Sequence, residues 1–170
     1  MANQVVIFSD EKGWHTGSLQ KEFFRRGVKT RCIDLADCFF EIKKGSPSVT
    51  IPGFGKNLPE LGVVRGISGG SLEQITKRLS VLHLLSMQGV PIINKALAIE
   101  KSVDKGTASF ILKKNNIPTP QFWVTESPMQ AKKIISDLIA CKKKIVMKPL
   151  FGSQGQGLQL FESSKNISDL

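Results

Sequence analysis

The chain has 170 residues, of which 41% are apolar and 22% charged, and a formal net charge of +10. That length suits one ordinary domain or two small ones, and the composition is that of a globular protein able to bury a core without disulfide or metal staples. No apolar run approaches the roughly 18–20 residues that cross a bilayer, and the opening Met1-Ala2-Asn3-Gln4 lacks the regions of a secretory signal, so a cytoplasmic protein with no membrane partner is expected.

Gln4-Val5-Val6-Ile7-Phe8 reads as a buried first strand ending in Ser9-Asp10. A loop over residues 10–15 follows. Thr16 is the expected cap of a helix whose apolar face carries Leu19, Phe23 and Phe24, and Gly27 ends it. Residues 28–35 hold a second strand, so the chain opens β–loop–α–β, the start of an open α/β layer. Residues 39–42 and 48–51 are expected to pair as a hairpin across 43–47. Residues 61–67 form another strand with Arg65 near its end, followed by a loop with Gly66, Gly69 and Gly70. Leu72, Ile75, Leu79, Leu82 and Met87 keep a helical period over 71–88, closed by Gly89, and Val90-Pro91-Ile92-Ile93 is a short strand. His83 belongs to that helix, on its surface or in the core.

A boundary is expected near Asn94, dividing the chain into 1–94 and 95–170. Beyond it, 96–101 is a short helix. Asp104 caps a second one, with Phe110, Ile111 and Ala108 inward, broken by Ile117-Pro118-Thr119-Pro120. Residues 121–124 read as a strand. Ser127-Pro128 starts a helix with a stripe of Ile134, Ile135, Leu138 and Ile139. Residues 145–148 form a strand that runs into a glycine loop, and 158–162 form the strand after it.

The positive charge asks for an anionic partner. The densest basic runs, Lys142-Lys143-Lys144, Lys113-Lys114 and Lys43-Lys44, have no interleaved aromatics to stack bases, which argues against nucleic acid as the main partner. Cys32, Cys38 and Cys141 match no disulfide or zinc spacing and read as small apolar side chains in a reduced compartment. No Ser–His–Asp arrangement is present, and the two histidines lack nearby acidic partners, so no zinc site is expected.

The loop Gly152-Ser153-Gln154-Gly155-Gln156-Gly157 is neither a Walker loop, which needs Gly-Lys-Ser/Thr, nor a dinucleotide fingerprint, which opens a helix. Strand–glycine loop–strand is a frame in which backbone N–H groups can cover phosphates. Lys148, one residue before Pro149, adds a cation expected to be held by the fold. By spacing alone, a glycine-rich hairpin with a surface lysine fits equally well.

The run Val146-Met147-Lys148-Pro149-Leu150-Phe151 with its glycine loop resembles the lysine strand and phosphate loop of ATP-grasp ligases, especially the RimK group. Asn94-Lys95-Ala96-Leu97-Ala98-Ile99 with Ser102-Val103-Asp104-Lys105 resembles that family's run ending in its first nucleotide lysine, Ile117-Pro118-Thr119-Pro120 its next landmark, and Val64-Arg65-Gly66 its arginine-bearing strand end. The resemblance implies an open α/β pre-ATP-grasp domain followed by the first, incomplete part of an α+β ATP-grasp domain. It implies ATP and Mg²⁺ as cofactors, and a carboxylate–amine ligase that adds L-glutamate to an acidic acceptor through an acyl phosphate. The acceptor would be a protein's C-terminal tail or a coenzyme such as tetrahydromethanopterin. Homo-oligomers are compatible with it.

Under that resemblance Lys105 and Lys148 contact phosphate or the adenine edge, and residues 152–157 cover the β- and γ-phosphates. Arg65 is a candidate for binding a carboxylate or the acyl phosphate, with a structural ion pair as its alternative. His15, beside Trp14 beyond the first strand, is a candidate acceptor contact, with loop packing as its alternative. The family's Mg²⁺ ligands are expected beyond Leu170, with none in this chain, so the chain is read as truncated and inactive alone. The competing readings are a non-catalytic nucleotide-binding module and a ribosome-associated regulatory one.

Overall fold

The unbroken apolar run of residues 5–8 has no polar face, and such a strand is stable only with both faces covered. In the computed structural model, which describes residues 4–43, 45–152 and 155–163, this run lies in β1 (Gln4–Phe8). Together with β2 (Lys29–Ile33), β5 (Leu61–Val64) and β6 (Ile92–Ile93) it makes a four-stranded parallel sheet ordered β2-β1-β5-β6. The chain is therefore α/β, and it divides into two units, Met1–Ile99 and Glu100–Leu170.

In the first unit, side-chain alternation along β1 splits the core. Val6 and Phe8 join Val64 and Ile92 under α2 (Leu72–Met87), whose Val81, Leu82 and Leu85 are fully buried. Val5 and Ile7 point to the other face. The helix α1 (Trp14–Arg25), with half-buried Leu19 and Phe23, carries the chain from β1 to β2. A 310 turn (Leu35–Asp37) and the antiparallel hairpin of β3 (Phe39–Lys43) and β4 (Ser46–Thr50) follow β2. The strands reach further into the connection than the sequence suggests, because Gly45 at φ +78° closes a turn shorter than the expected 43–47.

Two helix details differ from the expectation. α1 begins at Trp14 with Gly13 as its N-cap, so Trp14 and His15 are its first residues rather than a loop, and Thr16 is buried inside its first turn. In α2 the buried phase is Arg78, Val81, Leu82 and Leu85, while Leu72 and Met87 are about four-fifths exposed at 78% and 81%. Residues 78, 81, 82 and 85 are spaced i, i+3, i+4, i+7, and one of that helical set is an arginine. Reading only apolar side chains therefore shifts the stripe. Phe24 of α1, expected inward, is likewise exposed.

The second unit begins midway along α3 (Ala96–Val103) and holds α4 (Lys105–Lys114), α5 (Pro128–Ala140) and an antiparallel pair, β7 (Ile145–Met147) with β8 (Gln159–Phe161). Ser127 caps α5 with proline at the first helical position, and Asp104 caps α4. Residues 121–124 form no strand: a strand needs a ladder partner, and none of the described residues supplies one. Phe110 is exposed, whereas Ile111 and Ala108 are half-buried.

α5 ends with Lys142 in the left-handed region at φ 56°, where Lys142 N–H donates to Ile139 O at 2.8 Å and Lys143 N–H to Leu138 O at 3.0 Å. A lysine there carries the Cβ cost that glycine avoids. Lys142→Gly is expected to raise the unfolding free energy of this unit by about 1 kcal/mol, read as a higher denaturant midpoint at unchanged slope. A lower midpoint would refute the account of this cap.

Candidate functional site

In the first unit, β1 leads through α1 to β2 on one side, and β5 leads through α2 to β6 on the other. The connections diverge between β1 and β5, and in open α/β sheets the crevice beyond the strand ends at such a point is where ligands sit. Here the strand ends are tied together by backbone hydrogen bonds. Arg65 N–H and Gly66 N–H both donate to Phe8 O, at 2.8 and 3.2 Å. A Cβ on Gly66 would lie 2.4 Å from Asp10 Oδ1, so only glycine admits that carboxylate. Arg65 is exposed just after β5, and His15 is exposed on the first turn of α1, its ring edge-on to Trp14 at 5.0 Å between centroids.

The loops around this crevice are held by groups other than the sequence candidates. Ser9, buried, donates from Oγ to Glu11 O at 2.8 Å, and Thr16 Oγ1 lies 3.1 Å from Glu11 O and 3.3 Å from Ser9 Oγ. Thr16 thus clamps the β1–α1 loop instead of capping the helix. Asp34 accepts from Ala36 N–H at 2.8 Å and from Ser68 Oγ at 3.1 Å, joining the loops after β2 and β5. From α2, the Lys77 ammonium donates to Leu35 O at 3.1 Å, Ala36 O at 2.9 Å, and Cys38 O. The Arg78 guanidinium, 6% exposed, donates to Ser68 O at 2.5 Å and Gly69 O at 3.0 Å. The signal for Arg78 was its phase on α2, a charge among buried positions. All three cysteines are free, and burial pushes the Cys38 thiol up to about 12, so it stays a neutral, apolar group.

In the second unit the glycine loop lies against the start of α4. Lys105, the first residue of that helix, donates from Nζ to Gly152 O at 3.0 Å and to Leu150 O at 3.3 Å. A Cβ on Gly106 would come within 2.9 Å of Val124 Cγ2 and 3.5 Å of Leu150 Cδ1, so this helix start is closely packed. Asp104 Oδ1 accepts Gly106 N–H at 2.8 Å and Thr107 N–H at 3.0 Å, and its Oδ2 accepts the Thr107 hydroxyl at 2.6 Å. The Thr107 hydroxyl above all, with these backbone donors, holds the Asp104 carboxyl below the usual aspartate range.

Gly155 and Gly157 both have positive φ, +74° and +73°, and a Cβ on Gly157 would meet Pro149 Cγ at 2.8 Å. Gln156 between them is exposed, while Ser153 and Gln154 lie outside the described residues. The expectation for Lys148 is corrected: at the end of β7 it is exposed and makes no hydrogen bond or ion pair among the described residues. β7 is a hairpin strand with open surface beside it, so the strand end alone does not enclose an ammonium. The lysine held by the loop is Lys105.

One ammonium is seated on two backbone carbonyls beside the glycine loop, a point charge of the kind that can engage an anion. For a divalent cation, no group of three or more His, Cys, Asp or Glu side chains is placed to hold one among the described residues. No described helix is long and apolar enough to cross a membrane.

A family model described as the RimK PreATP-grasp domain matches residues 4–99. A probable alpha-L-glutamate ligase 1 of Pseudoalteromonas atlantica is 27% identical over 161 residues, covering 95% of this chain and 51% of that protein. A tetrahydromethanopterin:alpha-L-glutamate ligase of Methanococcus maripaludis is 29% identical over 171 residues, covering 98% and 54%. The chain thus spans about half the length of the curated relatives it matches. Among solved structures, a RimK domain ATP-grasp protein from Sphaerobacter thermophilus superposes with a TM-score of 0.68 at 20% identity, over 98% of this chain and 56% of that one, a likeness of fold.

Proposed function

Because the chain belongs to the RimK pre-ATP-grasp family, we propose that it is part of an ATP-dependent carboxylate–amine ligase that adds L-glutamate to an acidic acceptor. The observation that carries this reading is the seat of Lys105 Nζ on Gly152 O and Leu150 O, which joins the first lysine to the glycine loop within one unit. The names of the relatives, glutamate ligases at 27–29% identity, support the choice of donor. In this reading residues 1–94 are the pre-ATP-grasp domain and 95–170 the first subdomain of the ATP-grasp domain.

Bound at the loop, ATP would supply the γ-phosphoryl group that activates the acceptor carboxylate as an acyl phosphate, which an amine then displaces with release of phosphate. Lys105 exchanges its loop carbonyls for phosphate oxygens, at small desolvation cost because the ammonium is half-exposed already. Lys148 approaches as a second point charge from the end of β7. The loop 152–157 lays backbone N–H groups on the β- and γ-phosphates and excludes water from the reacting carboxylate. In the first unit, Arg65 binds a carboxylate of the acceptor and His15 contacts the acceptor. Mg²⁺ belongs to the family's chemistry, and among the described residues no group of three or more His, Cys, Asp or Glu side chains is placed to hold it.

The test is product analysis on the full-length protein from its natural source. ADP and phosphate are expected only when an acidic acceptor and L-glutamate are both supplied, with hydroxylamine trapping an acyl hydroxamate. AMP and pyrophosphate would mean adenylation and would overturn the assignment.

A further inference from the structure

We propose that the outer edge of β2 is a docking groove for an extended acidic peptide segment, bound as a fifth strand of the sheet. β2 is the terminal strand of the order β2-β1-β5-β6, and among the described residues nothing pairs with its outer side. Ile33 O accepts from Ser9 N–H, so Ile33 faces inward onto β1. In a parallel ladder the intervening residues, Thr30 and Cys32, then direct N–H and C=O outward. An exposed row of such groups is a template for strand addition.

The chemistry along that edge selects the occupant. Two open clefts of about 370 and 520 Å³ lie between β2 and α1 and share Gln20 and Arg31. Their linings contain three cations, Lys12, Lys29 and Arg31, and no carboxylate. Lys29 and Arg31 are two residues apart on β2 and so lie on one face of it. The Arg31 guanidinium lies over Gly53, where a Cβ would come within 2.8 Å of its Nη1. A peptide strand with acidic residues at alternate positions would set both carboxylates opposite these cations. A second copy of this chain, paired edge to edge, would instead bring basic residues together across the junction. A five-residue strand is about 17 Å long, so the groove takes a segment of about five or six residues. This surface is independent of the nucleotide reading, since its test contains no ATP.

The experiment uses the chain and a fluorescein-labelled hexapeptide, Glu-Thr-Glu-Val-Glu-Thr, read by anisotropy. Two control peptides accompany it: one with lysine for glutamate, and one keeping the glutamates but N-methylated at the backbone positions that would pair. The parent peptide is expected to bind, with at least fivefold loss on N-methylation and no binding of the lysine peptide. Lys29→Glu with Arg31→Glu is expected to weaken it at least tenfold while the melting curve is unchanged. Slowed amide exchange at Thr30 and Cys32 on binding is the signature of a strand and does not depend on any variant. Equal binding of the parent and N-methylated peptides would reduce the effect to loose charge attraction and overturn the proposal. So would absence of binding, or a concentration-dependent dimer that the parent peptide does not dissociate.

Discussion

Arg78→Met is expected to destabilise the first unit by about 3 kcal/mol, the upper end of the range for losing charge-assisted hydrogen bonds. The guanidinium is 6% exposed and holds Ser68 O and Gly69 O. Methionine keeps much of the stem's apolar packing but donates nothing, so both carbonyls lose their partner and must find water or move. Movement is available, because these carbonyls belong to the loop after β5 that begins at Arg65. Arg78→Lys is expected to recover part of the loss, since an ammonium reaches one carbonyl well and two poorly. Urea unfolding followed by Trp14 fluorescence in a Trp123→Phe background isolates this unit, because the two tryptophans lie in different units. A loss below 0.5 kcal/mol, within the range of ordinary surface substitutions, would mean that the loop does not depend on Arg78.

The same residue shows where sequence reading stops. Strand β1 was legible because its apolar run is short and rich in β-branched residues, which favours a buried strand over a helix, and Ser127-Pro128 and Asp104 were legible because caps are local chemistry. The resemblance to the family was carried by residues around Lys105, Lys148 and the glycine loop, and the family match over residues 4–99 supports the relationship from the first unit. The partners of Arg78 and Lys77 were invisible because they are carbonyls of other segments, up to 42 residues away for Lys77 and Leu35, and a carbonyl leaves no mark in a sequence. Thr16 was misread for a related reason. A threonine near a helix start caps it in most contexts, but here Ser9 and Glu11 claim its hydroxyl from the preceding loop. Residues 121–124 were misread because a β-favouring composition does not supply a neighbouring strand. The exposure of Lys148 could not be read either, since it depends on what surrounds β7 and not on β7 itself.

Gly155→Val with Gly157→Val is expected to weaken Mg·ATP binding at least a hundredfold, and the two positions fail for different reasons. Each glycine has φ near +70°, where a β-branched residue is strained by about 1–3 kcal/mol. At Gly157 the new Cβ also meets Pro149 Cγ at 2.8 Å, and Pro149 is a rigid ring next to Lys148. Relief there requires the β7–β8 hairpin to shift, so Gly157→Val is expected to speed amide exchange in β7 even without nucleotide. At Gly155 the nearest atom is Leu158 Cδ1 at 3.7 Å, an ordinary contact, so the backbone angle alone is disturbed. Gly155→Val is therefore the discriminating variant. If the loop lays its N–H groups on phosphate through these left-handed turns, this variant loses affinity while the β7 amides keep their native exchange rates. Calorimetry that finds native affinity for Gly155→Val would remove the loop from the phosphate site, and Lys105, seated on Gly152 O, would then be only a structural tie between α4 and the hairpin.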